Sequence, residues 1–227
     1  MIRVSVLGAE GRMGQAICHL LERDARFEIV AGVAKSDSLK NVINDTDVVI
    51  DFSTREATLH NIPIIVEAQK AVVVGTTGFS QSERDYFLKM ASRIPCVFAP
   101  NMSVGVNVLF KLAQEVTKTL KNYDIEIIEA HHSKKKDAPS GTALKIKEKI
   151  EKSLSEEKLE KNIPVHAVRA GDIVGDHTII YATEGERLEL THRASSRDTF
   201  AKGALEAAAW VVSQKPGVYD MGDVLSL

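Results

Sequence analysis

At 227 residues, with 44% apolar and 26% charged side chains, the chain is long enough for one large domain or two small ones and has the balance of a globular protein. Lys and Arg number 29 against 31 Asp and Glu, a formal net charge of -2, so no overall basic field advertises a nucleic-acid partner. The opening Met1-Ile2-Arg3-Val4 runs directly into a strand-like stretch without a signal pattern, and no apolar run could span a bilayer; the expected location is the cytoplasm, without membrane partners.

The first hundred residues alternate between short β-branched runs and segments of helical period, as expected for parallel strands joined by crossover helices. Ile2–Leu7 opens the series, Arg12–Arg23 carries Met13, Ile17, Leu20 and Leu21 at helical spacing, and Phe27–Ala34 completes a βαβ unit. Further strands are expected at Asp47–Phe52, Ala71–Gly75 and Cys96–Ala99. Ser80 and Glu83 ahead of Tyr86, Phe87 and Met90 form a capping-box pattern that should start a helix. Cys18 and Cys96 have no second ligand-type residue at metal spacing and are expected to be buried and reduced.

After Pro100 the character changes. A helix is expected over Val104–Lys121, then the strand Asp124–Ala130 and an amphipathic helix within Lys145–Lys161, with Leu144, Ile146, Ile150 and Leu154 among its charges. Pro164–Ala170, His177–Thr183 and Arg187–Arg193 read as antiparallel strands because their connections are too short for helical crossovers. Thr199–Val212 is alanine-rich and helical, and the tail from Gly217 to Leu227 mixes turn and apolar residues. The expected architecture is α/β: a Rossmann-like doubly wound parallel sheet (residues 1–101 and 200–227) and a smaller α+β domain with an open mixed sheet (residues 102–199).

Four strand ends in the first domain carry binding chemistry. Gly8-Ala9-Glu10-Gly11-Arg12-Met13-Gly14 joins a strand to a helix, the context that a dinucleotide fingerprint requires. Glycines there permit a tight turn and close approach of backbone amides to a pyrophosphate, although similar turns also occur where nothing binds. At the end of the second strand, where an NAD site usually places an acid, stands Lys35; it would attract the 2′-phosphate of NADPH, Asp37 nearby could still accept from a ribose, and a plain surface lysine is the other reading. Gly75-Thr76-Thr77-Gly78 offers amides, hydroxyls and small residues suited to a nicotinamide ring, and Ala99-Pro100-Asn101-Met102 offers the Asn101 amide to a carboxamide or serves as a hinge.

The densest chemistry lies in Glu129-Ala130-His131-His132-Ser133-Lys134-Lys135-Lys136-Asp137-Ala138-Pro139-Ser140-Gly141-Thr142. Two histidines and three lysines so close together repel one another unless an anion sits among them. Ser140 is a natural helix cap, leaving the amides of Gly141 and Thr142 to receive a carboxylate, so the loop suits a dicarboxylate. Metal ligation by His131 and His132 is set aside, since adjacent strand residues point to opposite faces and no third ligand is evident.

Taken together, these motifs resemble the dihydrodipicolinate reductase family, as do Arg169-Ala170-Gly171-Asp172-Ile173-Val174-Gly175, Gly185 to His192 and Ala194-Ser195-Ser196-Arg197, over nearly the whole chain. The resemblance implies hydride transfer from NADPH or NADH to a cyclic dicarboxylate, 4-hydroxy-tetrahydrodipicolinate, giving tetrahydrodipicolinate in lysine and diaminopimelate biosynthesis. By position in the motif it implies His131 as the catalytic histidine, Lys135 as proton donor, and His132, Ser140, Gly141 and Thr142 as substrate-binding residues. It further implies cofactor contacts at Gly8 to Met13, Gly75 to Thr77 and Ala99 to Met102, with Lys35 in place of the acid found in some members, a homotetramer assembled through the second sheet, and a final helix returning to the first domain. For this family the chain is short, with compact connections around Lys35–Asp45 and Lys158–Pro164. The competing readings are another two-domain reductase, such as an aspartate or homoserine dehydrogenase, and a catalytically silent dinucleotide sensor.

Overall fold

The computed structural model describes residues 1–227, and the chain divides into two compact units: residues 1–104 with 198–227, and residues 105–197. In unit 1, strands β1 (Ile2–Leu7), β2 (Phe27–Val33), β3 (Val48–Asp51), β4 (Ala71–Val74), β5 (Pro95–Phe98) and β10 (Gly217–Tyr219) form an all-parallel sheet in the order β10-β5-β4-β3-β1-β2. The chain reverses its direction of travel across the sheet between β1 and β3, the place where doubly wound folds bind ligands.

Successive strand residues point to opposite faces, and both faces are covered. Val4, Val6, Val48, Ile50 and Val73 pack against α1 (Arg12–Leu21) and α6 (Asp198–Val211), while Val49, Val72 and Val74 pack against α2 (Arg55–Glu67) and α3 (Gln81–Ala91). Each such side chain, fully buried, contributes about 1.5–3 kcal/mol of transfer free energy. Helix α3 starts at the capping box: Glu83 N donates to Ser80 Oγ (3.3 Å) and Ser80 N donates to the Glu83 carboxylate (2.7 Å). Helix α2, which the sequence reading does not single out, is capped by Thr54, whose hydroxyl accepts from Ala57 N.

Unit 2 contains α4 (Val104–Thr119, all but its first residue), β6 (Asp124–His131), α5 (Gly141–Glu156), β7 (Val165–Arg169), β8 (Gly175–Thr183) and β9 (Glu186–Ala194), with sheet order β7-β6-β8-β9. One face is sealed by Leu109 and Ala113 of α4 and by Ile146, Ile150 and Leu154 of α5, packed on Ile125, Ile127, Ile179 and Tyr181. Leu144 lies outside this seam and is exposed.

Two expectations need correction. The segment 164–170 is not an antiparallel neighbour in a meander: β7 pairs parallel with β6, because α5 supplies the crossover between them. It opposes β8 in direction, but β6 lies between the two. Helix α5 ends at Glu156, short of Lys161, with Lys158 in the left-handed region (φ 58°). The tail adds edge strand β10, parallel to β5, and helix α7 (Met221–Leu225).

Candidate active site

The β6 pleat brings the reactive groups together. Its alternation buries Ile125, Ile127, Glu129 and His131 on the helix-covered face, so an acid and an imidazole two residues apart continue the apolar row. Glu129 is 0% exposed, yet its carboxylate accepts four hydrogen bonds: from His131 Nδ1 (2.5 Å), Arg169 Nη1 (2.9 Å), Arg169 Nη2 (2.6 Å) and Ser140 N (3.1 Å). Burial opposes its ionisation, but the bonds from Arg169 and His131 outweigh that and hold the carboxyl below the usual range.

Burial also pushes the His131 imidazolium down, against the raising influence of Glu129, and the charges of Lys135 and Arg169 act in the same direction as burial. The His131 ring meets His177 of β8 edge to face at 5.2 Å. His177 Nε2 lies 3.2 Å from Ser140 Oγ, and burial with the nearby His131 charge pushes His177 down to about 4.

Lys135 is half-buried and pairs with Asp137 at 2.8 Å, so the segment's own carboxylate supplies part of the counter-charge that the sequence reading assigns to a ligand. That pairing lowers the Asp137 carboxyl. The loop is anchored to β7 and to the turn after it: Arg169 Nη2 donates to Asp137 O (2.6 Å) and Ser133 N to Gly171 O (3.2 Å). His132 is half-buried, with its Nδ1 buried and without a hydrogen-bond partner.

Ser140 is 2% exposed; its amide serves Glu129 and its hydroxyl accepts from Ala143 N (3.2 Å), so it shapes the start of α5 rather than facing outward. Gly141 is exposed and Thr142 half-buried at that helix end. Sequence reasoning assigns no role to Glu129, Arg169 or His177. The period-two burial of β6 is the signal that could have found Glu129, whereas Arg169 lies 40 residues away in a run that gives no sign of the acid it meets.

In unit 1 the cradle is made of main chain. Gly8 has φ +77°, and a Cβ there would come within 2.9 Å of Ser53 Cα; a Cβ on Gly14 would overlap the Gly8 carbonyl and sit 2.6 Å from Ala9 Cα. The turn is closed by Gly11 N donating to Gly8 O (2.9 Å), and no side chain caps α1 at Gly11. The first amides of α1 and the positive end of its dipole suit a phosphate, and the glycines let the main chain of the turn close on itself and on Ser53. Glu10, Gly11 and Arg12 are exposed, Ala9 and Met13 half-buried.

Other expected cofactor residues are placed differently from one another. Lys35 is exposed, while the Asp37 carboxylate accepts from Ala34 N (2.9 Å) and so serves its own turn. Gly75 makes room for the Phe52 ring, which a Cβ would overlap, so its smallness serves the protein's own packing. Thr76 is buried and bonds Thr58 Oγ1 (3.0 Å), with Asp51 Oδ1 at 3.5 Å; burial raises the Asp51 carboxyl. Thr77 and Pro100 are exposed, Ala99 and Met102 are core residues, and Asn101 Oδ1 accepts from Ser103 N (3.0 Å).

A Rossmann-type unit with a glycine-lined helix start, followed by a mixed-sheet unit holding a buried acid–imidazole–guanidinium cluster, defines an oxidoreductase of the nicotinamide-dependent class. Within that class the chain belongs to the dihydrodipicolinate reductase family: residues 2–102 match the family described as "Dihydrodipicolinate reductase, N-terminus" and residues 105–225 "Dihydrodipicolinate reductase, C-terminus".

A relative from Syntrophus aciditrophicus (strain SB), named 4-hydroxy-tetrahydrodipicolinate reductase, is 44% identical over 264 residues, covering 99% of this chain and 98% of the relative. One of the same name from Desulfotalea psychrophila (strain LSv54 / DSM 12343) is 45% identical over 266 residues, covering 100% and 99%. These alignments are longer than the 227 residues of this chain, so the relatives carry segments that it lacks. The solved structure of dipicolinate-bound dihydrodipicolinate reductase from Paenisporosarcina sp. TG-14 superposes with a TM-score of 0.82 at 26% identity, covering 97% of each chain.

Proposed function

We propose that this protein reduces 4-hydroxy-tetrahydrodipicolinate to tetrahydrodipicolinate, with loss of water, in the lysine and diaminopimelate route of the cytoplasm. Residues 1–101 and 200–227 bind the dinucleotide, and residues 102–199 bind the substrate and form the oligomer. The observation that carries the reading is the β6–α5 segment. There an imidazole, a guanidinium and a helix start converge around the buried Glu129 carboxylate, and Lys135 pairs with Asp137 in the adjoining loop, in a chain that belongs to this family over its whole length.

The amides at the start of α1 and the Gly8–Met13 turn hold the pyrophosphate, with Arg12 as a movable counter-charge. Lys35 reads the 2′-phosphate of NADPH, and NADH is accepted without it. Thr77, Pro100 and Asn101 line the nicotinamide side, with Gly75, Thr76, Ala99 and Met102 contributing backbone and shape. When bound, the reduced nicotinamide supplies the hydride. Gly141 and Thr142 amides at the α5 N-terminus receive one substrate carboxylate, and His132 Nδ1 takes a second polar contact. Lys135 gives the proton that the ring needs once hydride has added, and His131 orients or shares that proton.

A homotetramer built on the uncovered face of the second sheet completes the reading. Ile128 of β6 and Val168 of β7 are 38% and 44% exposed, β-branched residues suited to a sheet that another copy covers. Ile128→Asp should lower the mass in sedimentation equilibrium; an unchanged mass would place any interface elsewhere.

The deciding experiment follows NADPH and NADH oxidation by absorbance, with substrate generated in place from pyruvate and aspartate semialdehyde by the preceding synthase. Oxidation that depends on substrate is the expected result. Dinucleotide binding without turnover would favour a sensor, and turnover only with an amino-acid substrate would favour another reductase.

A further inference from the structure

Taking His131 as the catalytic imidazole, as proposed above, we propose that Glu129, clamped by Arg169, is a positioning residue: it fixes His131 as the Nδ1–H tautomer and reserves Nε2 for proton exchange. The argument starts from hydrogen-bond inventory. An ionised carboxylate only accepts, so the 2.5 Å contact from His131 Nδ1 requires the proton to sit on Nδ1. Free imidazoles have no such constraint, and the tautomer of a histidine is set by the partner of its other nitrogen.

The carboxylate is itself held against rotation. Arg169 spans both oxygens in a fork, at 2.9 and 2.6 Å, and Ser140 N donates to Oε1 from the start of α5. The same guanidinium holds Asp137 O at 2.6 Å, the carbonyl of the residue that pairs with Lys135. One arginine therefore braces both the orienting acid of His131 and the loop of the proposed proton donor. The far edge of the ring is confined as well: a Cβ on Gly175 would come within 3.1 Å of His131 Nε2, so this strand start leaves that nitrogen its room.

The groups facing His131 are Glu129 from its own strand, Lys135 from the following loop, Arg169 from β7 and His177 from β8, with His192 of β9 paired across from His177. Lys135 and Arg169 present positive charge to the ring and Glu129 negative charge. The resting imidazole is accordingly neutral near pH 7, and only the Glu129 bond favours its charged form among these neighbours.

The test reads tautomer and turnover separately. In the full-length protein labelled with 15N-histidine and free of ligand, NMR should show His131 protonated at Nδ1, with Nε2 unprotonated at pH 8. Glu129→Gln, whose amide can donate or accept, should give mixed tautomers and a fall in kcat of about 10²-fold or more, with the dinucleotide KM unchanged. It should also displace the acidic limb of the kcat–pH profile to lower pH, because the partner that raised the imidazole is gone. Arg169→Lys, which keeps the charge but loses the fork, should show a weaker form of all three changes. A proton on Nε2 in the wild-type protein would overturn the proposal without any variant having to fold, as would a tautomer and pH profile that ignore Glu129→Gln. Correct tautomer chemistry in a protein that does not oxidise NAD(P)H with substrate would instead overturn the assigned reaction.

Discussion

The two units build their candidate sites from different materials. In unit 1 the groups offered to a ligand are mostly main chain: the glycine turn and the uncapped start of α1, with Thr76, Ala99 and Met102 turned inward. In unit 2 the site is a side-chain network whose members, Glu129, His131, Arg169, Ser140 and His177, come from four elements and are joined by hydrogen bonds. Removing atoms should therefore do little in unit 1, where adding one is harmful, and the reverse should hold in unit 2. A dinucleotide presents the same phosphates to any protein and suits a rigid backbone cradle, whereas protonation at one atom of a ring needs groups with tunable charge.

The largest contrast is expected from Lys135→Ala. Loss of the proton donor should lower kcat by about 10²- to 10⁴-fold. Dinucleotide affinity, measured by titration calorimetry, should stay within error because unit 1 is untouched; unchanged turnover would remove Lys135 from the mechanism. The converse experiment is Gly14→Ala. The added methyl overlaps the Gly8 carbonyl, so the turn must open. We expect at least about a tenfold loss of dinucleotide affinity and about 1–3 kcal/mol of destabilisation, confined to unit 1 by hydrogen exchange. Retained affinity would show that the turn is not the cradle.

How much of this could be read from the chain alone follows the same divide. Val48–Asp51 and Ala71–Val74 are buried on both faces, so they stand out as continuous apolar runs, and the glycine turn sits directly between a strand and a helix. The expected domain limits at 101/102 and 199/200 stand beside contact limits at 104/105 and 197/198. Strand β10, three residues at a sheet edge, has too little pattern to be found. The pairing of β7 is not legible, because the short link to β8 says nothing of β6, which lies between the two. The Glu129–Arg169 and Ser140–His177 contacts span 40 and 37 residues, and only the folded sheet makes them neighbours. The Glu129–His131 pair is the exception, since it continues the alternation of Ile125 and Ile127.

Acid should distinguish the units next. His177, only 3% exposed, has its pKa depressed from 6.5 to about 4 by burial and by His131. A depressed histidine contributes stability that is full above pH 6.5 and is lost as pH falls towards 4, because the unfolded chain takes up the proton first. The full shift corresponds to about 3 kcal/mol. His131 is shifted in the same direction, so His177→Gln should flatten the acid loss without abolishing it. Hydrogen exchange at β6 and β8 amides between pH 7.5 and 4.5 reads this directly. Asp51 in unit 1 has the opposite sign: burial raises its carboxyl, so its contribution is present at low pH and is lost as pH rises through the raised value. Parallel acid loss by both units, or no effect of the substitution, would break the contrast.

The smallest expected effect lies at the one place where unit 1 is proposed to use a side chain for discrimination. Lys35 follows β2 and is exposed, and the nearby acid Asp37 is bonded to Ala34 N in its own turn. An ammonium group there gains from the 2′-phosphate of NADPH but has no counterpart in NADH, and its exposure limits the gain through screening. Lys35→Ala should weaken NADPH about five- to tenfold, which is about 1 kcal/mol, and leave NADH unchanged. Raising the salt concentration should shrink the wild-type preference and have little effect on the variant. If the two dinucleotides respond equally, Lys35 is a solvated surface residue. In that case cofactor choice rests on the same main-chain cradle as the rest of unit 1, and the contrast between the units becomes sharper.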